Sequence, residues 1–159
     1  MRKFTLLLIL AITLTATAMN GAAQALDGAL SPLGTWATPD GGAHIQVSDC
    51  GGTLCGTITW LRHPREKDGT ESVDSKNPNS DLRLRKLLGL QLMAAFTPDG
   101  ADPTVWKNGW IYDASSGKTY SCTLTLESAT TMRVRGYIGL SLFGKTQVWT
   151  RVTPQILAK

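Results

Sequence analysis

The sequence predicts an all-β protein: one eight-stranded antiparallel up-and-down barrel, with a short helix after a long loop. Three observations carry this. Short runs of alternating or β-branched residues recur along the chain. Turns rich in Gly, Pro, Asp and Asn separate them at close intervals. Beyond the amino-terminal segment, helical patterning is confined to one brief stretch.

The first strand is 34–37, Gly-Thr-Trp-Ala, closed by Pro39-Asp40-Gly41-Gly42. Residues 43–49 alternate, with Ala43, Ile45 and Val47 on one face and His44, Gln46 and Ser48 on the other. The third strand, 54–61, contains the β-formers Thr57, Ile58 and Thr59. From 62 to 80 the chain is charged and polar, holds two prolines and lacks apolar period, which reads as a long surface loop. Asn79 or Ser80 can cap a short helix over 81–87, with Asp81 in its first turn and Arg85 and Lys86 in its last. A strand resumes over 89–96 and turns at Pro98-Asp99-Gly100. The next, 106–113, is interrupted by Asn108-Gly109, a bulge or a tight turn. After a hairpin at 113–117, residues 118–126 place Tyr120, Cys122, Leu124 and Leu126 on one face and Ser121, Thr123 and Thr125 on the other. Strands 131–137 and 145–152 complete the count. A sequential meander of this length closes on itself, because closure removes exposed edges. Eight strands leave an interior that side chains fill or that holds one small ligand. Two packed sheets are the second arrangement the pattern allows.

The amino terminus sets the compartment. Met1-Arg2-Lys3 is a positive start, an apolar run broken only by threonines covers 4–18, and Ala23-Gln24-Ala25 is a small-x-small cleavage signature. This reads as a signal peptide over 1–25 followed by a single domain over 26–159. The apolar run is short for the ~20 residues of a membrane span, so no stable membrane insertion is expected. No cysteine lies near the cut, which excludes a lipoprotein anchor there. The expected address is the periplasm.

Removal of 25 of the 159 residues leaves 134, with fourteen basic and twelve acidic side chains, a charge of +2. So mild an excess points neither to nucleic acid nor to an anionic membrane. In an oxidising compartment a disulfide is expected. Cys50 and Cys55 flank the turn-like Gly51-Gly52-Thr53-Leu54 and form the favoured pair, leaving Cys122 buried and reduced; Cys55–Cys122 is the competing pair. Spacing of the three does not match a zinc site, and no metal or other cofactor is expected.

Gly34-x-Trp36 opens the first strand and Arg151 ends the last. In a closed barrel these strands are neighbours, and a guanidinium over the indole would plug one end. This pairing resembles the calycin arrangement of lipocalins and fatty-acid-binding proteins. A wider set of motifs resembles the DUF2147 family of small exported bacterial proteins. It comprises Gly34-Thr35-Trp36, Cys50-Gly51-Gly52-x-Leu54-Cys55-Gly56, Trp60-Leu61, Asp74-x-x-Asn77-Pro78, Arg83, Gly89-Leu90 and Trp106-x-x-Gly109. It continues through Ile111-Tyr112-Asp113, Gly117-Lys118-Thr119-Tyr120, Arg135-Gly136-Tyr137 and Trp149-Thr150-Arg151. The resemblance implies a lipocalin-like barrel and a periplasmic address, but no reaction.

The residues offer little catalysis. His44 sits on the polar side of its strand and His63 in a charged loop, both read as surface histidines. Cys122 lies mid-strand among apolar residues, where a thiol is inert packing. No G-x-S-x-G, H-E-x-x-H or P-loop spacing occurs, so no catalytic residue is assigned and an enzyme is not expected. Asp74, Asn77, Asn79 and Asp81 have the oxygen chemistry of calcium ligands, but read better as turn and cap residues, with Asp74 and Asn77 holding the long loop in shape.

Arg135-x-Tyr137 resembles the carboxylate anchor of fatty-acid-binding proteins, yet alternation sets both against Met132 and Val134. The cost of an unpaired buried guanidinium favours an outward Arg135; an inward one needs a ligand carboxylate. Trp106, Trp110 and Trp149 line a pocket or fill the core, while Trp36 is structural either way. The leading expectation is therefore a periplasmic lipocalin-like binding module for a small, mostly apolar ligand, with or without a carboxylate, and with Arg135, Tyr137, Trp106, Trp110 and Trp149 as ligand candidates. The alternative is a filled barrel whose 62–80 loop, carrying Arg62, Arg65, Lys67 and Lys76, binds or inhibits an envelope protein.

Overall fold

Alternation on both sides of short turns builds eight strands in chain order. They are β1 (Gly34–Ala37), β2 (Ala43–Asp49), β3 (Leu54–Leu61), β4 (Gln91–Pro98), β5 (Val105–Asp113), β6 (Lys118–Ser128), β7 (Thr131–Tyr137) and β8 (Gly144–Arg151). Each pairs antiparallel with the next, and β8 returns to β1, closing the barrel. The computed structural model describes residues 30–140, 142 and 144–153. The targeting segment expected over 1–25 and the domain ends at 26–29 and 154–159 lie outside the described residues.

The seam of the barrel is short. β1 meets β8 only at Trp36↔Arg151 and Ala37↔Thr150, whereas β7 pairs with β8 from Thr131 to Tyr137. Among the described residues, 144–149 of β8 therefore pair on one side alone. Up-and-down connectivity also sorts the turns. One end carries the amino-terminal lead (residues 30–33) and the β2–β3, β4–β5 and β6–β7 turns; the other carries the β1–β2, β5–β6 and β7–β8 turns and the long 62–90 connection. We call these the lead end and the loop end.

The inner face is filled. Trp36, Ile45, Val47, Met93, Phe96, Cys122, Leu124, Leu126, Met132 and Trp149 each retain 2 % exposure or less. Their alternation matches the pleat, so the inward set on β6 is the face expected from sequence. At Asn108 the backbone takes φ 63° and the β5–β6 register shifts between Trp106 and Gly109. This is the bulge of the two options, and it lets Trp106 and Gly109 both face the β6 core row opposite Leu124 and Cys122.

The helix expected over 81–87 is a correction. Only Ser80–Leu82 forms a 3-10 turn, capped by the Asn79 side chain on the Asp81 N–H. Residues 85–87 instead form a ribbon with 72–74: Asp74 N–H donates to Arg85 O and Leu87 N–H to Ser72 O. Those backbone groups are taken, so the helix cannot propagate. The strand expected from 89 begins its ladder at Gln91, although Gly89 and Leu90 still exchange bonds with Ile58.

Candidate functional site

At the lead end, Arg151 gathers four contacts. Its Nε donates to Ala129 O at 2.6 Å, Nη1 to Leu33 O at 2.6 Å and Nη2 to Ser31 O. Its Cζ lies 4.2 Å from the Trp36 ring centroid. The Trp36 indole N–H in turn donates to Pro32 O at 2.8 Å. A planar fork is needed to reach several carbonyls at once, which lysine lacks. Gly34 makes room for it: φ is 120°, and a Cβ there would sit 2.6 Å from Arg151 Nη1. Burial lowers the Arg151 pKa, without removing its charge at any working pH. Sequence predicted the Trp36–Arg151 contact; the capture of the lead through its carbonyls comes from the backbone.

Pinning the lead creates a concavity. Between it and the ends of β3, β4 and β5 lies an open cleft of about 230 Å³. Pro32, Leu33, Leu54, Phe96, Pro98 and Trp106 supply apolar walls; Ser31, Asp49 and Gly52 supply the rim. No cation lines it. The Cys50–Cys55 disulfide, with Cα atoms 5.9 Å apart, is the pairing favoured from sequence and fixes the adjacent β2–β3 turn. There Asp49 accepts the Gly52 N–H at 2.7 Å.

At the loop end, Asp74 is fully buried on the outside of β5, under the long connection. Its Oδ1 accepts the Tyr112 hydroxyl at 2.6 Å; Oδ2 accepts Asn77 Nδ2 at 2.7 Å and the Arg85 Nε and Nη2 at 2.8 and 2.7 Å. Burial acts to raise the Asp74 carboxyl, but the bonds from Tyr112, Asn77 and Arg85 outweigh it and hold the pKa below the ordinary value. Burial, then the bond to Asp74, pushes the Tyr112 phenol up. Arg85 lies over the Tyr112 ring, 5.3 Å from its centroid. Gly117 seats this cluster on the β5–β6 turn, since a side chain there would collide with the Lys76 carbonyl. Asn77 Oδ1 accepts the Asn79 N–H and Asn79 Oδ1 the Asp81 N–H, so these oxygens serve turns. Sequence marked Asp74 and Asn77 but missed Arg85 and Tyr112; the need of a buried carboxylate for a cation was the usable signal.

A family model described as "Uncharacterized protein conserved in bacteria (DUF2147)" matches residues 34–151. The chain belongs to the DUF2147 family. Among solved structures it is similar to protein HP1028 from Helicobacter pylori, described as belonging to the lipocalin family. The TM-score is 0.68 at 20% identity, covering 79% of this chain and 86% of that one. That likeness establishes a shared fold. A comparison with curated proteins finds no match.

Within this DUF2147 barrel the other singled-out residues scatter. Arg135 and Tyr137 lie on the outer face of β7, opposite the buried row of Met132 and Val134. Arg135 Nη1 donates to Thr146 Oγ1 at 2.9 Å and Nη2 to Leu142 O at 3.3 Å. They do not converge with Trp149, which is in the core, its indole N–H on Gln147 Oε1 at 2.7 Å. Trp110 lines a separate outer depression with Tyr112, Gln91 and Thr119. His44 stacks on Trp60 at 4.4 Å and His63 is exposed. Burial pushes the Cys122 thiol up to about 12, so it carries no nucleophile at neutral pH.

Proposed function

We propose that this protein is an exported, lipocalin-like binding module that takes a small, mostly apolar molecule in the cleft beneath its amino-terminal lead. One observation carries the reading. The described inner face is filled, and an apolar cleft of about 230 Å³ with Trp106 in its wall lies open beneath the lead. This is slightly below the ~300 Å³ of the smallest usual ligand pockets, which limits the ligand to fragment size. The carboxylate-bearing variant loses support, since Asp49 sits on the rim and Arg135 and Tyr137 lie elsewhere. A neutral apolar molecule fits better. Export to the periplasm belongs to the same reading, supported by the charged-then-apolar amino terminus and by the Cys50–Cys55 bond.

The test is a titration of the isotopically labelled protein with indole and naphthalene, followed by NMR. Resonances of Leu33, Leu54 and the Trp106 indole should move, and Leu33→Asp should abolish the shifts. Shifts confined to the loop end, or none at all, would sink the proposal. The alternative reading, docking of an envelope protein, shifts from the 62–80 loop expected from sequence to the segment that follows it, where Leu84 is 84% exposed beside Arg85, which is anchored on Asp74. Leu84→Asp should then release any partner retained by the wild type.

A further inference from the structure

The β7–β8 turn ends in an apolar tip that the fold does not use. Ile138, Leu140 and Leu142 are 66%, 72% and 78% exposed. Three large aliphatic side chains presented together by one turn are unusual on a soluble surface and mark an interaction site. The neck below them has a different chemistry. Tyr137 is half-buried at the end of β7, Lys145 is exposed at the start of β8, and Arg135 braces the turn through Leu142 O. An apolar tip above a collar of phenol, ammonium and guanidinium matches the layering of a bilayer surface: hydrocarbon, then headgroup.

The charge distribution agrees. Among the described residues, by chain position, the loop-end half carries ten Lys and Arg against seven Asp and Glu; the lead-end half carries three against four. The positive excess thus lies at the end bearing the apolar tip. Side chains this exposed would need a matching pocket on a protein partner, whereas lipid yields to them. We propose that the β7–β8 turn docks this protein reversibly on an anionic lipid surface, inserting Ile138, Leu140 and Leu142 with Lys145 and Arg135 at headgroup level. This goes beyond the cleft and stands without it, since the two lie at opposite ends of the barrel.

The experiment is flotation with lipid vesicles, using protein recovered from the periplasm of an expressing bacterium, its amino terminus checked by mass. Wild type should float with phosphatidylglycerol vesicles, more weakly with phosphatidylcholine, and less in 0.5 M salt. Leu140→Ser with Leu142→Ser should lower the partition coefficient by ~100-fold on both. Lys145→Glu should lower it by ~10-fold on the anionic vesicles and leave the neutral ones unchanged. Because the leucines are exposed, thermal melts of the variants should match wild type, which separates lost docking from lost folding. Wild type that stays in solution, or a double variant that floats equally well, overturns the proposal. So does a wild-type dimer in solution that the double variant converts to monomer, which would make a second copy the occupant.

Discussion

Replacing Arg151 with methionine tests how the barrel is closed. Methionine keeps apolar cover over Trp36 but has no donor. Three bonds to main-chain carbonyls are lost, from Ala129, Leu33 and Ser31, with the ring contact at 4.2 Å. The guanidinium is partly solvated, so each bond belongs at the lower end of its range, ~1 kcal/mol. The ring contact adds ~0.5 kcal/mol at such a site. A loss of about 3.5 kcal/mol follows, a large share of the ~5–15 kcal/mol that holds a domain together. The melting temperature should drop by ~10 °C. The site of damage is specific, because the β1–β8 seam has only two residue pairs. In hydrogen exchange, the Val152 amide, bonded to Thr35 O, should lose protection before the β5 and β6 amides do. Arg151→Lys should recover less than half of the loss, since an ammonium cannot span the three carbonyls. With Ser31 and Leu33 released and the lead held by the Trp36 bond to Pro32 O, the cleft wall should loosen and indole binding should weaken. A loss below 1 kcal/mol, or one that opens β5 and β6 as early as the seam, would refute the assignment of closure to this side chain.

Two further outcomes follow from buried groups. Asp74 has its folded pKa held below the unfolded value near ~3.9, so its contribution is complete above that value and disappears as pH falls through the folded pKa. Asp74→Asn should cost ~2–3 kcal/mol at pH 7, discounted because Arg85 is about a third exposed and regains water. Urea midpoints at pH 7 and pH 2 should show the gap to wild type shrinking in acid; a constant gap argues against a charged Asp74. Cys122, fully buried and with its pKa pushed up to about 12, should resist an aromatic disulfide reagent at pH 8 in the native protein. After unfolding without reductant it should release one equivalent of chromophore, and rapid native labelling would contradict its burial.

Sequence alone determined the architecture because strands write themselves in a local code. A period of two in 43–49 and 118–126, broken by glycine-rich turns, specifies both the strands and the face that each buries. The Trp36–Arg151 contact was legible for a related reason: in a closed meander the first and last strands must touch. The 81–87 stretch went the other way. Its caps and charges suit a helix, but residues 72–74, eleven or more positions earlier, take its backbone groups into a ribbon. Nothing local announces that competition.

The candidate sites depended on the same kind of distance. Arg85 meets Asp74 and Tyr112 only because the long connection folds back over β5, bringing together groups up to 38 residues apart. The cleft arises from a lead held by a side chain 118 positions away. Whether the tryptophans filled or lined the barrel was likewise undecidable from alternation, which gives the face and not the volume behind it. Local pattern settled the strands and their inward rows, since each needs only its neighbours in the chain. Filling, the cleft and the buried carboxylate's partners were settled by tertiary contacts, because they depend on which distant segments share the same space.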